Sequence, residues 1–405
     1  MDFSKENLTF TIVCRWSFPK DQGGVAMYNN YLYKSLNEEF NFNLITSENF
    51  YENNTGIKII DYSLNYSLLQ KVFKVSNFTK NGLRSLNDWR VSNAIARQLR
   101  TINTDLIEFM DIHSEGYNYI KENRLLKSRP IINIRSHTPW GLLRRFYSSI
   151  ERRGVDGWWA KKREKYCFDN CDTITTPSND LKSKIVDIYN IPSSKINVLP
   201  NLLDTSHFTP ILNNDRLDGD FIILHVGRFE RAKGVFTLIK AFIEFSKNIN
   251  NKCKLINVGE PRGEAYKECI KLLNQAKLLD QVLFTGFISY DDLPNYYKKA
   301  DLVIVPSEIY ESFSYTVAQA MSCGKAVIAS NIGGIPETLN SGEDYAAGLV
   351  FNPGDSSSLI NKINELYNDN VYRENLGFNG REIAVNNFSI LNQKQNYTNF
   401  YKGLL

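Results

Sequence analysis

A regular alternation of short apolar runs with longer amphipathic segments constrains the fold of this chain more than any other feature of its sequence. Apolar runs of this length are typical of buried parallel strands, and the segments between them have helical periodicity. Such an alternation predicts a parallel sheet with helices on both faces. In the first half the predicted strands are LTFTIVCRW, NFNLITS, TDLIEF, PIINIRS, DTITTPS and INVLP.

The alternation is interrupted once, over LLDTSHFTPILNNDRLDGD, where Asn, Asp, Pro and Thr replace the periodic pattern. It restarts with the strands FIILHVG, CKLINVG, QVLFTG, DLVIVPS and AVIAS, most of them followed by a helical segment. We therefore predict two doubly wound α/β domains, residues 1–205 and 206–385, and an amphipathic C-terminal segment over 386–405. Ligands of such sheets bind beyond the carboxyl ends of the strands, so we expect the site in the cleft between the domains.

The bulk composition limits the class of protein. With 405 residues, 42% hydrophobic and 23% charged, the chain is typical of a globular protein with two domains. No apolar run reaches the roughly 20 residues that span a bilayer, and the polar N-terminus is not typical of a signal peptide, so we expect a cytoplasmic protein. Six cysteines in a chain of this length do not indicate a disulfide framework, and Cys167 and Cys171 lack further zinc ligands at matching spacing.

The loop HVGRFERAKG follows a predicted strand. Gly227 allows the backbone to turn tightly, and Arg228 and Lys233 precede a helix that starts near Gly234. Two cations beside a helix N-terminus form an anion site suited to phosphate. The alternative is a solvated basic loop in which Glu230 pairs with the cations.

The stretch ESFSYTVAQAMSCG places an acid, Glu311, in the loop after DLVIVPS, and a glutamine, Gln319, inside an otherwise apolar helix. The loop Ser312–Phe313–Ser314 directs backbone N–H groups toward the expected cleft, where Glu311 can accept hydroxyl groups. A carboxylate at a helix N-terminus is also common without any ligand. A buried amide needs partners, so Gln319 is either bonded internally or lines a site that binds a polar molecule.

These loops, with SNIGGIPE, together resemble the nucleotide-sugar site of the family-4 retaining glycosyltransferases of the bacterial surface-polysaccharide type, which have the GT-B fold. The resemblance rests on VGRFERAKG and on PSEIYESFSYTVAQAMSCGKAVIASNIGGIPE. It extends to TITTPSNDLKSKI, to INVLPNLLDTSHFTP, to VLFTGFISYDDLPNYYKKADLVIVPS and to the N-terminal PKDQGGVAMYNNYLYKSL. It implies two Rossmann-like domains facing across a cleft, the first on the acceptor side and the second binding the donor. It also implies a last helix that returns to the first domain.

The resemblance also implies roles for individual residues. Arg228 and Lys233 would bind and stabilise the donor diphosphate, and Glu311 would bind hydroxyl groups of the donor sugar. His137, in RSHTPWGLL, matches the family's histidine that hydrogen-bonds this sugar, although a lone loop histidine is more often structural. The implied contacts to the phosphates, the sugar and the base come from Gly23, Gly24, Gly227, Phe287, Ile288, Ser312, Phe313 and Ser314.

Two departures from the family pattern concern the second predicted loop. The family carries two glutamates separated by seven residues, whereas here the second position is Gln319, which would face the ribose. A glutamine amide still accepts a hydroxyl bond but loses the stronger charge-assisted bond, so we expect nucleotide binding to survive and to be weaker. Ser312 and Ser314 replace glycines of the family loop, so the backbone of this loop need not follow the family's geometry.

No metal or other cofactor is expected. Asp218–Gly219–Asp220 reads as a metal-binding D-x-D motif, but its place in the linker before a strand is typical of a turn. Arg228 and Lys233 can balance the diphosphate without a metal ion. We therefore predict no strict metal requirement.

The acceptor side is less determined. Glu108, Asp111 and Glu115 are expected just beyond a predicted strand and could position an acceptor hydroxyl, although such acids are more often solvated. From Arg144 to Lys165, eight basic residues face three acids and flank Trp158 and Trp159, a pattern that suits an anionic membrane surface or a charged lipid-linked acceptor. The alternative is a solvated helix with a packed tryptophan pair. No nucleic-acid-binding motif is present.

The resemblance predicts a retaining transferase that moves a sugar from a nucleotide-diphosphate sugar, with UDP the expected nucleotide, to a hydroxyl of a glycan or lipid-linked acceptor. A nucleotide-sugar epimerase of the same architecture is one alternative. A nucleotide-sugar-binding protein without catalysis, suggested by Gln319, is another. A dehydrogenase is disfavoured because no G-x-G-x-x-G follows a predicted strand.

Overall fold

The computed structural model describes residues 8–15, 23–46, 58–61, 84–145, 155–210, 221–249, 252–261 and 263–405. The chain divides into two compact units. The first unit contains residues 1–201 and 394–405, and the second contains residues 202–393. The roles expected for the two domains stay predictions, and most of the predicted linker, 211–220, lies outside the described residues.

The first unit is built on a parallel sheet of seven strands in the order β3-β2-β1-β4-β5-β6-β7. Its strands are β1 (Thr9–Val13), β2 (Asn41–Thr46), β3 (Lys58–Asp61), β4 (Leu106–Met110), β5 (Ile131–Arg135), β6 (Thr173–Thr176) and β7 (Ile196–Val198). Its described helices are α1 (Gly24–Leu36), α2 (Arg84–Leu99), α3 (Tyr117–Asn123), α4 (Trp140–Leu143), α5 (Val155–Asn170) and α6 (Asn179–Tyr189). The strand order reverses at β1, as in doubly wound sheets.

The second unit is built on a parallel sheet of six strands in the order β10-β9-β8-β11-β12-β13. The strands are β8 (Phe221–Val226), β9 (Cys253–Val258), β10 (Val282–Gly286), β11 (Leu302–Val305), β12 (Val327–Ser330) and β13 (Gly348–Phe351). The helices are α7 (Val235–Asn248), α8 (Gly263–Ala276), α9 (Leu293–Lys299), α10 (Tyr315–Ser322), α11 (Ile335–Thr338), α12 (Ser356–Asn368) and α13 (Asn370–Phe388). The last helix, α14 (Ile390–Lys402), contributes residues 394–402 to the first unit.

The core of the second unit explains why its strands are mainly apolar. Both faces of the sheet are covered by helices, so residues such as Ile223, Leu255, Ile304 and Ile328 are buried whichever face they occupy. The amphipathic helix α7 buries Phe242 and its apolar neighbours against this sheet. Burying each large apolar side chain contributes about 1.5–3 kcal/mol.

The predicted α/β class with two doubly wound sheets is confirmed. Each predicted strand is present, and α1 covers the predicted segment GVAMYNNYLYKSL. Two strands, β3 and β13, were not predicted; each lies at one edge of its sheet. All six cysteines are buried.

Candidate functional site

Three loops meet at the carboxyl edge of the second sheet. They are the β8 loop (residues 227–234), the β11 loop (306–314) and the β12 loop (331–334). Strands β8, β11 and β12 are neighbours in the sheet and all parallel, so the loops that follow them leave the same edge side by side. This is the edge at which open α/β sheets bind ligands.

Two glycines allow these loops to touch backbone to backbone. Gly234 ends the β8 loop at φ +71°, and a Cβ there would overlap the carbonyl oxygen of Pro306. Gly333 has φ +59°, and a Cβ there would overlap the carbonyl oxygen of Glu311. That oxygen accepts a hydrogen bond of 2.8 Å from the Gly334 N–H. The loops are therefore fixed relative to one another.

Lys233 and Glu311 form an ion pair in which Nζ lies 2.7 Å from Oε1. The lysine side chain is 26% exposed and the glutamate side chain 12% exposed. The Ser307 hydroxyl donates to the same carboxylate oxygen. Burial raises the pKa of Glu311, but the Lys233 charge and hydrogen bonds from Lys233, Ser307 and Ser314 outweigh it and hold the pKa below its ordinary value. The carboxylate is therefore ionised at neutral pH.

Arg228 occupies a different environment from Lys233. Its side chain is 71% exposed and its Nη2 lies 3.0 Å from Glu230 Oε1. This is the arrangement that the solvated-loop alternative predicted for the β8 loop, but it applies only to Arg228. Arg228 is thus a largely exposed cation beside an exposed acid, whereas Lys233 is held against the largely buried Glu311.

The loop Ser312–Phe313–Ser314 leads into α10. Ser312 and Ser314 are buried, and none of the three residues has a positive φ, so the serines fit where the family has glycines. The Phe313 ring packs edge-on against Tyr315 and Phe388, each at 5.3 Å between centroids. The aromatic side chain therefore anchors the start of the helix.

Gln319 is buried in α10, and its Oε1 accepts a hydrogen bond of 2.9 Å from the Tyr297 hydroxyl. Its Nε2 donates no hydrogen bond within the described part of the chain. The amide is therefore bonded internally at its acceptor end, whereas its donor end is left for another partner. Because an amide oxygen can accept two hydrogen bonds, the expectation that Gln319 accepts a ribose hydroxyl stays a prediction.

The segment that was expected to face the base lies farther along the same edge. Gly286 ends β10 at φ +74°, and its carbonyl oxygen accepts a hydrogen bond of 2.9 Å from Gly259 N–H. The Phe287 ring that follows is 70% exposed, and Ile288 is half-buried. This aromatic ring offers a flat apolar surface.

His225, which the sequence did not indicate, is buried in β8 just before the β8 loop. Its Nδ1 lies 3.2 Å from the Ile304 carbonyl oxygen, so the ring donates there, and Nε2 has no partner within the described residues. Burial, with a smaller contribution from the Lys233 charge, lowers the pKa of His225 to about 4. No sequence signal separates such a histidine from an ordinary strand residue.

In the first unit, His137 follows β5 and is buried. Its ring lies edge-on to Tyr28, with centroids 5.0 Å apart, and its Nε2 has no partner among the described residues. Burial, followed by the charge of Arg135, lowers the pKa of His137 well below its ordinary value. The imidazole is therefore neutral at physiological pH.

Gly23 and Gly24 form the start of α1. Gly23 is the extended N-cap at φ −69°, its carbonyl oxygen accepts from Met27 N–H at 3.0 Å, and Gly24 is the first helical residue. Neither has a positive φ. The rest of the predicted glycine loop, 16–22, lies outside the described residues.

The three first-unit acids are not solvated, and that interpretation was wrong. Glu108 lies within β4 rather than beyond it, and it is fully buried. It accepts hydrogen bonds from Tyr28 (2.9 Å), Asn133 (2.6 Å) and Tyr401 (2.6 Å). Asp111 and Glu115 are also buried, and Glu115 pairs with Arg15.

Trp158 and Trp159 lie on α5, and their side chains are 50% and 48% exposed. Their rings meet edge-on with centroids 5.0 Å apart, and the Lys162 ammonium lies 5.4 Å from the Trp158 ring. The rings thus pack on each other and still present a half-exposed aromatic surface beside lysines. Residues 146–154 of this basic stretch lie outside the described residues.

Among the described residues, no three His, Cys, Asp or Glu side chains are grouped so as to hold a metal ion. The Asp218–Gly219–Asp220 motif lies outside that part of the chain. A helix apolar and long enough to cross a bilayer is likewise missing from the residues that the structure describes.

Two family models match the chain. The model described as Glycosyltransferase Family 4 matches residues 23–207, and the model described as Glycosyl transferases group 1 matches residues 212–383. An uncharacterized glycosyltransferase of Methanocaldococcus jannaschii is 28% identical over 58% of this chain and 60% of its own length. The lipopolysaccharide 1,2-N-acetylglucosaminetransferase of Salmonella typhimurium is 30% identical over 56% of this chain and 61% of its own length.

Solved structures agree with the chain over nearly all of its length. A sucrose-phosphate synthase from Thermosynechococcus elongatus has a TM-score of 0.79 at 21% identity, covering 98% of this chain and 99% of that one. An Anabaena protein in complex with UDP has a TM-score of 0.71 at 17% identity, covering 98% and 100%. These likenesses show the predicted GT-B fold. The alignments with the curated relatives span only about three fifths of those relatives' lengths.

Proposed function

Since the chain belongs to the glycosyltransferases of family 4 and group 1, we propose that it moves a sugar from a nucleotide-diphosphate sugar to a hydroxyl of a glycan or lipid-linked acceptor. The observation that carries this proposal is the carboxyl edge of the second sheet. There a lysine–glutamate pair, an exposed arginine and the start of a helix converge from neighbouring strands.

The chemistry of sugar transfer explains why these residue types are useful together. Breaking the bond between the anomeric carbon and the diphosphate builds negative charge on the leaving oxygen. Arg228 and Lys233 would stabilise this charge by fixed electrostatics, which is the largest contribution in many enzymes. Glu311, released in part from Lys233 by the diphosphate, would accept hydroxyl groups of the donor sugar.

The remaining roles follow the resemblance. The backbone amides of Ser312–Phe313–Ser314 would hold the phosphate and sugar, and Phe287 and Ile288 would lie against the base. Gly23, Gly24 and Gly227 would allow the backbone to approach the phosphates, and His137 would donate or accept a hydrogen bond at the sugar. The reaction would retain the anomeric configuration, with the leaving phosphate taking the proton of the acceptor hydroxyl.

The donor is proposed to be a UDP-sugar, bound without a required metal. Structures of the Anabaena protein are solved with UDP and with UDP-glucose, which supports uracil as the base. Two cations on one loop supply the charge that a divalent metal would otherwise provide. We propose no other cofactor.

For the acceptor side, the named Salmonella relative acts in lipopolysaccharide synthesis, and we propose a similar surface glycan or lipid-linked acceptor. Half-exposed Trp158 and Trp159 beside lysines support peripheral contact with an anionic membrane. Flotation with anionic and with neutral liposomes tests this contact: binding to anionic vesicles alone supports it, and recovery of all protein in the unbound fraction contradicts it.

The transfer itself is tested with a panel of nucleotide sugars and a lipid-glycan extract, in buffer with EDTA. The proposal expects a nucleoside diphosphate and a glycosylated product whose new bond keeps the donor's anomeric configuration by NMR. Conversion of the donor sugar without acceptor would indicate an epimerase instead. Nucleotide binding with neither transfer nor donor hydrolysis would indicate a binding protein, and activity restored only by Mg²⁺ or Mn²⁺ would contradict metal independence.

A further inference from the structure

The segment that carries His137 is held by two buried carboxyl groups from other elements. After β5 the chain passes through residues 136–139 into the short helix α4. The Ser136 N–H still donates to the Thr175 carbonyl oxygen at 2.8 Å, as a continued strand would. Beyond that point the backbone N–H groups of the segment are bonded to side chains instead.

Asp111, which follows β4, holds the first part of this segment. Its Oδ2 accepts from the Ser136 hydroxyl at 2.6 Å and from the His137 N–H at 3.2 Å. Its own N–H donates to the Arg135 carbonyl oxygen at 3.0 Å. The aspartate therefore fixes both the end of β5 and the backbone of His137.

Glu164, on α5, holds the second part. Its two oxygens accept from the N–H groups of Trp140 (2.6 Å) and Gly141 (3.0 Å), which have no partner within so short a helix. The Tyr189 hydroxyl also bonds to this carboxyl group. A Cβ on Gly141 would overlap the Tyr189 hydroxyl, so only glycine admits this arrangement.

The two carboxyl groups face one environment. Asp111 and Glu164 line the same small cavity, with Cys167 and apolar side chains around them. Burial and then the charge of Asp111 raise the pKa of Glu164 to about 8, and burial raises the pKa of Asp111 to about 6. Among the described residues, Tyr189 and the Cys167 thiol also face this pair, and the charge of Arg163 acts on Cys167. Burying two acids in this way costs free energy, which their hydrogen bonds must offset.

We propose that Asp111 and Glu164 are positioning residues that clamp residues 136–141 from two sides and so fix the His137 ring for the transfer reaction. This inference rests on the role proposed above for His137. Displacing a ring by about 1 Å can lower the rate about a hundredfold, so a rigid segment around His137 would favour the reaction. Neither acid is required to touch the donor or the acceptor.

The test combines turnover with amide hydrogen exchange in the full chain. Asp111→Asn and Glu164→Gln should each lower kcat about tenfold or more, with the donor KM changed by less than about threefold, because only the reacting geometry is disturbed. Amide exchange in residues 136–141 should become at least about tenfold faster. Tyr189→Phe removes one hydrogen-bond partner of Glu164 and one acceptor of the Gly141 N–H, and it should give smaller changes in the same direction. Asp169→Asn, an exposed acid on α5, should change neither quantity.

The decisive comparison is the double variant. If Asp111 acts through His137, then Asp111→Asn should lower kcat less than about twofold in a His137→Ala background, since coupled residues are not additive. Fully multiplicative losses, or unchanged exchange in residues 136–141, would overturn the clamp. Wild-type turnover in His137→Ala would instead overturn the proposed role of His137 and the positioning role with it, even where the exchange rates change as expected.

Discussion

Lys233 and Glu311 come from loops after neighbouring strands and bind each other through a contact of 2.7 Å between Nζ and Oε1. The pair joins the residue proposed to stabilise the diphosphate to the residue proposed to bind the sugar. Both side chains are largely shielded from solvent, and the ion pair fixes their charged groups relative to each other. A bound diphosphate would compete with Glu311 for Lys233.

This relationship predicts a stability effect. Lys233→Met should lower the free energy of unfolding by about 1–3 kcal/mol, because it leaves the buried Glu311 carboxylate without its charged partner. The double variant with Glu311→Gln should recover part of that loss, since neither charge then remains buried. Urea unfolding of both variants and the wild type measures this, and a double variant less stable than Lys233→Met alone would contradict the account.

Arg228 should behave in the opposite way. Because its side chain is largely exposed, Arg228→Ala should leave stability within about 0.5 kcal/mol of the wild type. It should lower kcat about a hundredfold or more, since losing one fixed donor to the leaving group costs about 2.7–4 kcal/mol. Arg231→Ala is the matched control, because Arg231 lies in the same loop, is 72% exposed and pairs with Glu268. A loss of tenfold or less in Arg228→Ala, or an equal loss in the control, would count against the assignment.

Replacing Gln319 by glutamate should strengthen nucleotide binding. The Tyr297 hydroxyl occupies one acceptor site of Gln319 Oε1, so the amide offers the ribose one further neutral acceptor site and its N–H donors. Gln319→Glu should restore a charged acceptor and tighten nucleoside-diphosphate binding about tenfold, since charge-assisted bonds are roughly twice as strong. Calorimetry with UDP and with its 2′,3′-dideoxy analogue separates this effect from general changes: the gain should appear with UDP and vanish with the analogue. Equal gains for both would show that residue 319 does not face the ribose.

The close contact of Gly234 with the β11 loop should contribute to thermal stability. Gly234→Ala combines a left-handed backbone, which costs about 1–2 kcal/mol for other residues, with an overlap against Pro306. Gly263→Ala has a similar φ of +79° but meets no atom within 4 Å among the described residues, so it isolates the backbone term. Thermal unfolding should rank Gly234→Ala as clearly the less stable of the two. Equal melting temperatures would mean that the loops separate without cost.

Glu164 predicts how stability depends on pH. Its pKa in the folded chain is raised to about 8, so the folded state binds more protons than the unfolded state between the ordinary pKa and that value. Its contribution is therefore fully present at low pH and is lost as pH rises toward about 8, by at most roughly 1.4 kcal/mol per pH unit. Urea unfolding from about pH 5 to pH 8 should show a flatter slope in Glu164→Gln than in the wild type, and parallel curves would contradict this.

Local sequence patterns predicted most of the fold. The 3.6-residue period placed α1 at its observed residues, and the apolar runs marked the strands that lie inside each sheet. The strands that were missed, β3 and β13, lie at sheet edges, but the edge strands β7 and β10 were predicted, so edge position alone does not explain the omissions. In β3 the apolar run is only Ile59–Ile60, between Lys58 and Asp61, and β13 begins with glycine, so the local apolar signal is short in both.

The candidate site was less predictable because its contacts join residues far apart in sequence. Glycines and charges after strands marked the three loops, but nothing local indicates that Tyr297 bonds Gln319 or that Lys233 pairs with Glu311. Glu108 was expected either to position an acceptor hydroxyl or to be solvated, and it is instead buried within β4 and bonded by Tyr28, Asn133 and Tyr401. Such partners are fixed by tertiary packing rather than by spacing.

The β8 loop of the second unit is proposed to bind a nucleoside diphosphate. The most direct measurement is the melting temperature of the chain with UDP, GDP, ADP and dTDP, each beside its nucleoside and in buffer with EDTA. Binding at a hundredfold excess over Kd stabilises the folded state by about 2.7 kcal/mol. We expect a clear rise with one diphosphate, no rise with the matching nucleoside and no effect of EDTA. An unchanged melting temperature with all four diphosphates would contradict this proposal.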